Sequence, residues 1–284
     1  TISSEVSQVL EESAILDNEL EPLDDVEVVE IKSIPSGFGF WWRNVREWVS
    51  TGTTFDPVKK AEKQLKFAEE RTRLANYIIE NSTDTKVQEK AQQMLEKANE
   101  YMQKIEDKKD NLIKRTDEKS QKLLRNIAKH QLNNVRVLEK IEDKLPPEKI
   151  EEFQQLRKKI EERNKNFLDK LKSNSDVPQE VKDKVIDVLS WSYNIQKARE
   201  EFRIQQKDIL EEIKKGTEEA REQAKKRFEE LREARKENQE RLREQFKEEK
   251  EKIIDKIKEG DKNAVEKLKE LNRERQKEAV KIRE

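Results

Sequence analysis

Apolar and small residues recur along most of this chain at the three- and four-residue spacing that lines one face of an α-helix. From Pro57 to about Asn81 the series Ala61, Leu65, Ala68, Thr72, Ala75, Ile79 steps 4-3-4-3, the seam of a coiled coil, with alanines that let a partner helix approach closely. Asp56 before Pro57 reads as an N-cap followed by proline at the first helical position. After a short turn at Asn81–Asp84, a second seam runs through Ala91, Leu95, Ala98, Met102, Ile105 and Leu112. It changes phase around Thr116–Ser120 and resumes at Leu124, Ile127, Val135, Leu138 and Ile141. The expectation is an antiparallel hairpin whose second helix continues unbroken to about Lys144, a span of roughly 90 Å. Leu145-Pro146-Pro147-Glu148 ends it and starts a third helix over about 147–173, with Ile150, Phe153, Ile160, Phe167 and Leu171 inward.

Beyond the break at Ser173–Pro178 a fourth helix begins with Val181, Val185, Val188, Ile195 and Phe202, and Trp191 and Tyr193 mark the expected centre of a three-helix core. From there the apolar period lengthens to eleven residues. One column is Ala198, Ile209, Ala220, Leu231, Leu242, Ile253, Ala264; the other runs Trp191, Phe202, Ile213, Ala224, Arg235, Phe246, Ile257, Leu268, Ala279, with Arg235 its one polar member. Such a repeat gives 3.67 residues per turn and a nearly straight helix. Because phase survives both Gly216 and Gly260, the pattern is read as one helix of about a hundred residues, roughly 150 Å long. Glu259-Gly260-Asp261 is the place where a kink or a cap pair would fall. The third helix covers only its start, so roughly 120 Å would project, and the maintained columns call for a partner helix from another copy or another protein.

The fold class is therefore all-α: elongated antiparallel helical hairpins forming a three-helix coiled-coil bundle, a very long C-terminal helix, and an extended acidic N-terminal tail. The divisions are 1–36, the acidic segment; 37–145, an aromatic helix and long hairpin; 146–205, the third helix and start of the fourth; and 206–284, the charged C-terminal helix. Composition agrees, with 44% charged residues, 32% hydrophobic and five glycines in 284 residues, which rules out a thick core. The net charge is only −1, but residues 1–32 hold ten acidic groups against Lys32 alone, a net of −9 that leaves +8 elsewhere. This tail cannot fold by itself. Within it DDVEVVEIKSI alternates like a strand or a docking segment, expected to lie on a mildly basic surface of its own chain or a neighbour's.

Residues 35–57 gather Phe38, Phe40, Trp41, Trp42, Val45, Trp48 and Val49, holding three of the four tryptophans. Their spacing fits one helical face, which caps a bundle end or anchors to a partner or membrane interface.

Candidate chemistry is sparse. There is no cysteine, and the single histidine, His130, lies in a helical stretch without a catalytic companion and reads as structural. No glycine loop cradles a phosphate, and no apolar run reaches a membrane span. Acidic pairs such as Glu211/Glu212 and Glu218/Glu219/Glu222 have basic neighbours and read as solvated faces rather than metal ligands. Basic groups are read as interleaved with acids throughout, unlike a nucleic-acid surface. The expectation is no enzyme, no cofactor and no metal. The chain opens at Thr1 without methionine, which is read as a processed signal peptide or a trimmed start.

The segment IPSGFGFWWRNVREWVSTGTTFDPVKKAEKQLKFAEER resembles a bacterial family of unknown function found in secreted or envelope proteins. Thr54, Phe55, Asp56, Pro57, Lys60, Ala61, Glu62, Ala68, Glu69 and Arg71 carry the match, which covers about residues 30–110, while Gly37-Phe38-Gly39 stands where the family has a proline–aromatic pair. The resemblance implies an extracytoplasmic, all-helical protein and no activity. Together these readings predict a structural or interaction protein, a helical rod that self-associates as a homo-oligomer or filament or bridges envelope partners. Phe38, Phe40, Trp41, Trp42 and Trp48 at one end, and Leu231, Leu242, Phe246, Ile253 and Ile257 on the stripe, are its expected contact residues. The alternative is an envelope helical chaperone or adaptor, suggested by Leu145-Pro146-Pro147-Glu148-Lys149.

Overall fold

A computed structural model of the chain describes residues 20, 22–28, 31, 33–34, 47, 50, 53–82, 84–107, 112, 117–175, 177–179, 182–183, 185–186, 202–204 and 206–281. Among these no strand occurs and helices dominate, the expected all-α class. The chain divides into two compact units, Leu20–Ser192 and a second made of Thr1–Glu19 with Tyr193–Glu284.

In the first unit, α1 (Pro57–Asn81) and α2 (Thr85–Glu106) form the expected antiparallel hairpin. Asp56 starts α1 by accepting from the Val58 and Lys59 amides. Every member of the predicted α1 seam is buried, and so are Ala91, Leu95, Ala98, Met102, Ile105 and Leu112. Arg71 of α1 donates to the Met94 sulfur, and the Phe67 and Tyr101 rings sit 5.8 Å apart, which fixes the antiparallel register.

The second helix does not run unbroken to Lys144. It ends at Glu106, and α3 (Glu118–Glu142) starts afresh at Asp117, whose backbone is extended (φ −70°, ψ 150°) and whose carboxylate accepts from Ser120 N. The phase change near 116–120 marks a capped start, and an Asp followed by Glu is the side-chain chemistry that pulls a backbone out of a continuing helix. Across the turn at 143–146, α4 (Pro147–Ser173) returns beside α3, with Arg157 paired to Glu142.

The two hairpins stack in parallel. Glu69, Asn76 and Glu80 of α1 meet His130 and Lys140 of α3 in rising order. Glu89 and Asn99 of α2 likewise meet Lys149 and Arg163 of α4. α3 is the most enclosed element: ten consecutive residues, 130–139, are buried.

The second unit overturns the hundred-residue helix. Described helical residues 206–215 end at Gly216, α5 (Glu218–Lys258) begins at the cap Thr217, and α6 (Lys262–Lys281) follows a turn at Gly260. A Cβ on Gly216 would lie 2.7 Å from the Glu212 carbonyl oxygen, so the close backbone approach needs glycine. At the other break Gly260 has φ +89°, Gly260 N donates to Ile257 O and Asp261 N to Lys256 O, the paired bonds of a Schellman stop. Asp261 then caps α6 through Asn263 N.

Both turns reverse the chain. Arg235 stacks on Phe202 at 4.5 Å and Arg227 pairs with Glu212, so α5 lies back along 202–215; Arg275 stacks on Phe246 at 5.8 Å, so α6 lies back along the far half of α5. The eleven-residue stripe therefore has internal partners: Phe246, Ile253 and Ile257 pack on Leu268 and Leu271. Arg235, the polar exception in its column, is 7% exposed because a flat guanidinium covers an aromatic face. Trp191 and Tyr193 lie outside the described residues.

Gly260 has no atom within 4 Å of an added Cβ, so a side chain there meets backbone strain only. Gly260→Ala should cost about 1 kcal/mol of stability and Gly260→Asn less, because asparagine tolerates the left-handed region. Denaturant unfolding of the three chains checks the order.

Candidate functional site

α3 presents Lys122, Arg125, Asn126 and Lys129 on one face, spaced i, i+3, i+4, i+7. On that face sits the acidic segment 22–28. Leu23 is 5% exposed and starts a turn in which Val26 N reaches Leu23 O at 3.5 Å and Asp25 takes φ 51°. Asp24 lies at the centre. Its carboxylate meets Lys129 Nζ at 2.7 Å and Arg125 Nε at 3.6 Å, while Asp25 pairs with Lys122.

Asn126 supplies the geometric part of the recognition. Its Oδ1 accepts from Asp24 N at 2.7 Å and its Nδ2 donates to Asp24 O at 3.0 Å. One side-chain amide thus reads both polar groups of one peptide residue, as a neighbouring strand would. Asn126 is 3% exposed, and each such bond contributes about 1 kcal/mol net. Burial of Leu23 adds about 1.5 to 3 kcal/mol. The charge pairs are partly exposed and each adds well under about 1 kcal/mol in salt. Shape and backbone pairing hold the segment, and charge selects it.

Below this face the seams carry buried ionic groups. The Glu69 carboxylate is fully buried and accepts from His130 Nδ1, Asn133 Nδ2 and Arg73 Nε, each at 2.8 Å. Glu47 is also buried; Arg71 donates to it at 2.9 Å and the Tyr101 hydroxyl at 2.7 Å. Burial first, then the hydrogen bond to Glu47 and that carboxylate's charge, push the Tyr101 hydroxyl well above the ordinary phenol range. On the α2–α4 seam Arg163 donates to Asn99, and burial draws its guanidinium down to about 10. His130 serves as a buried link between α1 and α3, the structural role its isolation suggests.

Of the expected contact residues, Phe38, Phe40, Trp41, Trp42 and Trp48 lie outside the described residues. Leu231, Leu242, Phe246, Ile253 and Ile257 are partly buried on α5 of the second unit, the last three against α6. Among the described residues no His/Cys/Asp/Glu group is placed to hold a metal ion, and no helix is long and apolar enough to cross a membrane. The sequence reading missed the α3 face although a signal was present. Residues 119–138 contain Lys119, Lys122, Arg125, Lys129 and Arg136 and no acidic residue, in a chain with 63 acids, so the charges are not interleaved there.

Fold and site together define a class: paired helical hairpins that hold an acidic turn against a basic helix. Residues 32–148 match the family model of a domain of unknown function (DUF5667). The match takes in α1, α2, α3 and the turn into α4, and so includes the basic face, whereas the docked segment 22–28 precedes it. No curated protein and no solved structure matches the chain.

Tyr101 offers a pH test. Its folded-state pKa is raised, so the stability it contributes is complete below the unfolded value of about 10 and is lost as pH rises above it. Stability measured by denaturant from pH 9 to 11.5 should fall less steeply for Tyr101→Phe than for the parent chain, and equal slopes would exclude the arrangement.

Proposed function

We propose that this protein is a non-enzymatic interaction protein of the extracytoplasmic space, a helical scaffold that self-associates or bridges partners by gripping acidic non-helical segments. The observation that carries this reading is the seat on α3. Asn126 pairs with both backbone groups of Asp24 while Lys122, Arg125 and Lys129 take the acidic side chains, which is how a helix would recognise an unfolded stretch of another chain.

The charged faces of α5, with pairs such as Lys226–Glu230 and Lys236–Glu240, suit a solvated scaffold. Because α6 and residues 202–215 take up much of the apolar stripe, the N-terminal region, with its acidic segment and the aromatic residues Phe38, Phe40, Trp41, Trp42 and Trp48, becomes the main contact surface in this reading. The extracytoplasmic setting rests on the resemblance over residues 30–110.

Light scattering over a hundredfold concentration range, on the full chain and on one lacking residues 1–36, tests the proposal. Oligomers that weaken without the N-terminal segment are expected. A chain that stays at 33.9 kDa throughout, with or without the segment, would remove self-association from it.

A further inference from the structure

The seat and its occupant belong to the same polypeptide, so two copies of this chain are complementary to each other at this site. We infer that the seat on α3 exchanges its occupant between copies: the Leu23–Asp25 turn of one chain docks on Lys122, Arg125, Asn126 and Lys129 of a second. The inference rests on the interaction reading above and names the partner.

Three observations carry it. Residues 22–28 form no helix, and Asp24 and Asp25 are bonded by side chains of α3 alone, so an identical chain can make the same hydrogen bonds and ion pairs. Charge is polarised for association: residues 1–32 carry ten acids against one base, and the acid-free window 119–138 carries five bases. The acidic segment of one copy is therefore complementary in charge to the basic window of another. Length permits the crossing. Residues 29–46 separate the segment 22–28 from Glu47, which Arg71 anchors, and eighteen residues reach at most about 60 Å.

In a lone chain the same linker gives the cis contact a high effective concentration, so exchange is favoured where copies are already held together or where the cis contact is broken. Charge reversal breaks it selectively. In Asp24→Lys/Asp25→Lys a basic turn faces a basic seat; in Lys122→Glu/Lys129→Glu an acidic turn faces an acidic one. Each chain then repels its own segment, yet each segment suits the other chain's seat, so a reciprocal pair satisfies both sites.

The two full-length variants, one of them ¹⁵N-labelled, are mixed and examined by light scattering and by zero-length carbodiimide cross-linking read by mass spectrometry. The expected result is a 1:1 dimer in the mixture, at least about tenfold tighter than either variant's self-association. Its cross-links at the α3 seat should join labelled to unlabelled peptides, while Glu80–Lys140 links stay within one isotope and report that each chain is folded. Dimers that form without mixed-isotope links at the seat would overturn the exchange and leave the interaction reading standing. A mixture that remains monomeric overturns the exchange. Parent chains that also stay monomeric at every concentration would remove the self-association reading with it.

Discussion

A carboxylate with no exposure to water has to find its donors inside the protein, and Glu69 finds all three on α1 and α3. His130, Asn133 and Arg73 converge on it at hydrogen-bond distance, so a shift of one turn between the two helices would strand a buried charge. Arg157 is likewise paired with the buried Glu142 between α4 and α3, and Arg71 with the buried Glu47. The surrounding seams of alanine and leucine tolerate sliding by whole heptads. The polar groups do not, and they set the parallel register of the two hairpins.

That register makes α3 the centre of the first unit. Its inner faces carry Leu124, Ile127, Val135 and Leu138 into the core and His130 and Asn133 to Glu69, and the remaining face is left to Lys122, Arg125, Asn126 and Lys129. A helix held this firmly offers a rigid template, so a peptide docking on it is the partner that loses most of the conformational freedom. Recognition of one residue's backbone by Asn126 explains how a short turn can be held with few apolar contacts.

Most of the seam positions were legible from spacing alone: residues such as Leu65, Ala98, Ile127 and Phe153 are buried where periodicity put them, because helical phase is a local property. The ends were less legible. At Asp117 the phase change was visible but was read as lying within one helix, whereas at Gly216 and Gly260 the apolar phase runs on through the break, since each of those turns returns the chain against the same stripe and one pattern serves both sides of a reversal. Arg235 looked like an interruption because its partner, Phe202, lies on the other arm of that reversal. The buried charges were illegible for a different reason: among 63 acids nothing local separates Glu47, Glu69 or Glu142 from a solvated glutamate. The seat on α3 was legible in principle, as twenty residues without an acid, but its meaning depends on which segment lies over it.

Zero-length cross-linking reads the parallel stacking of the two hairpins. Carbodiimide joins a carboxylate to a lysine only at contact, and the stack places Glu80 Oε1 2.6 Å from Lys140 Nζ and Glu89 Oε1 3.8 Å from Lys149 Nζ. Both links should appear in dilute protein, where each joins peptides of one chain. Links that instead pair Lys140 with the N-terminal end of α1, or Lys149 with the C-terminal end of α2, would mean that the hairpins run the other way.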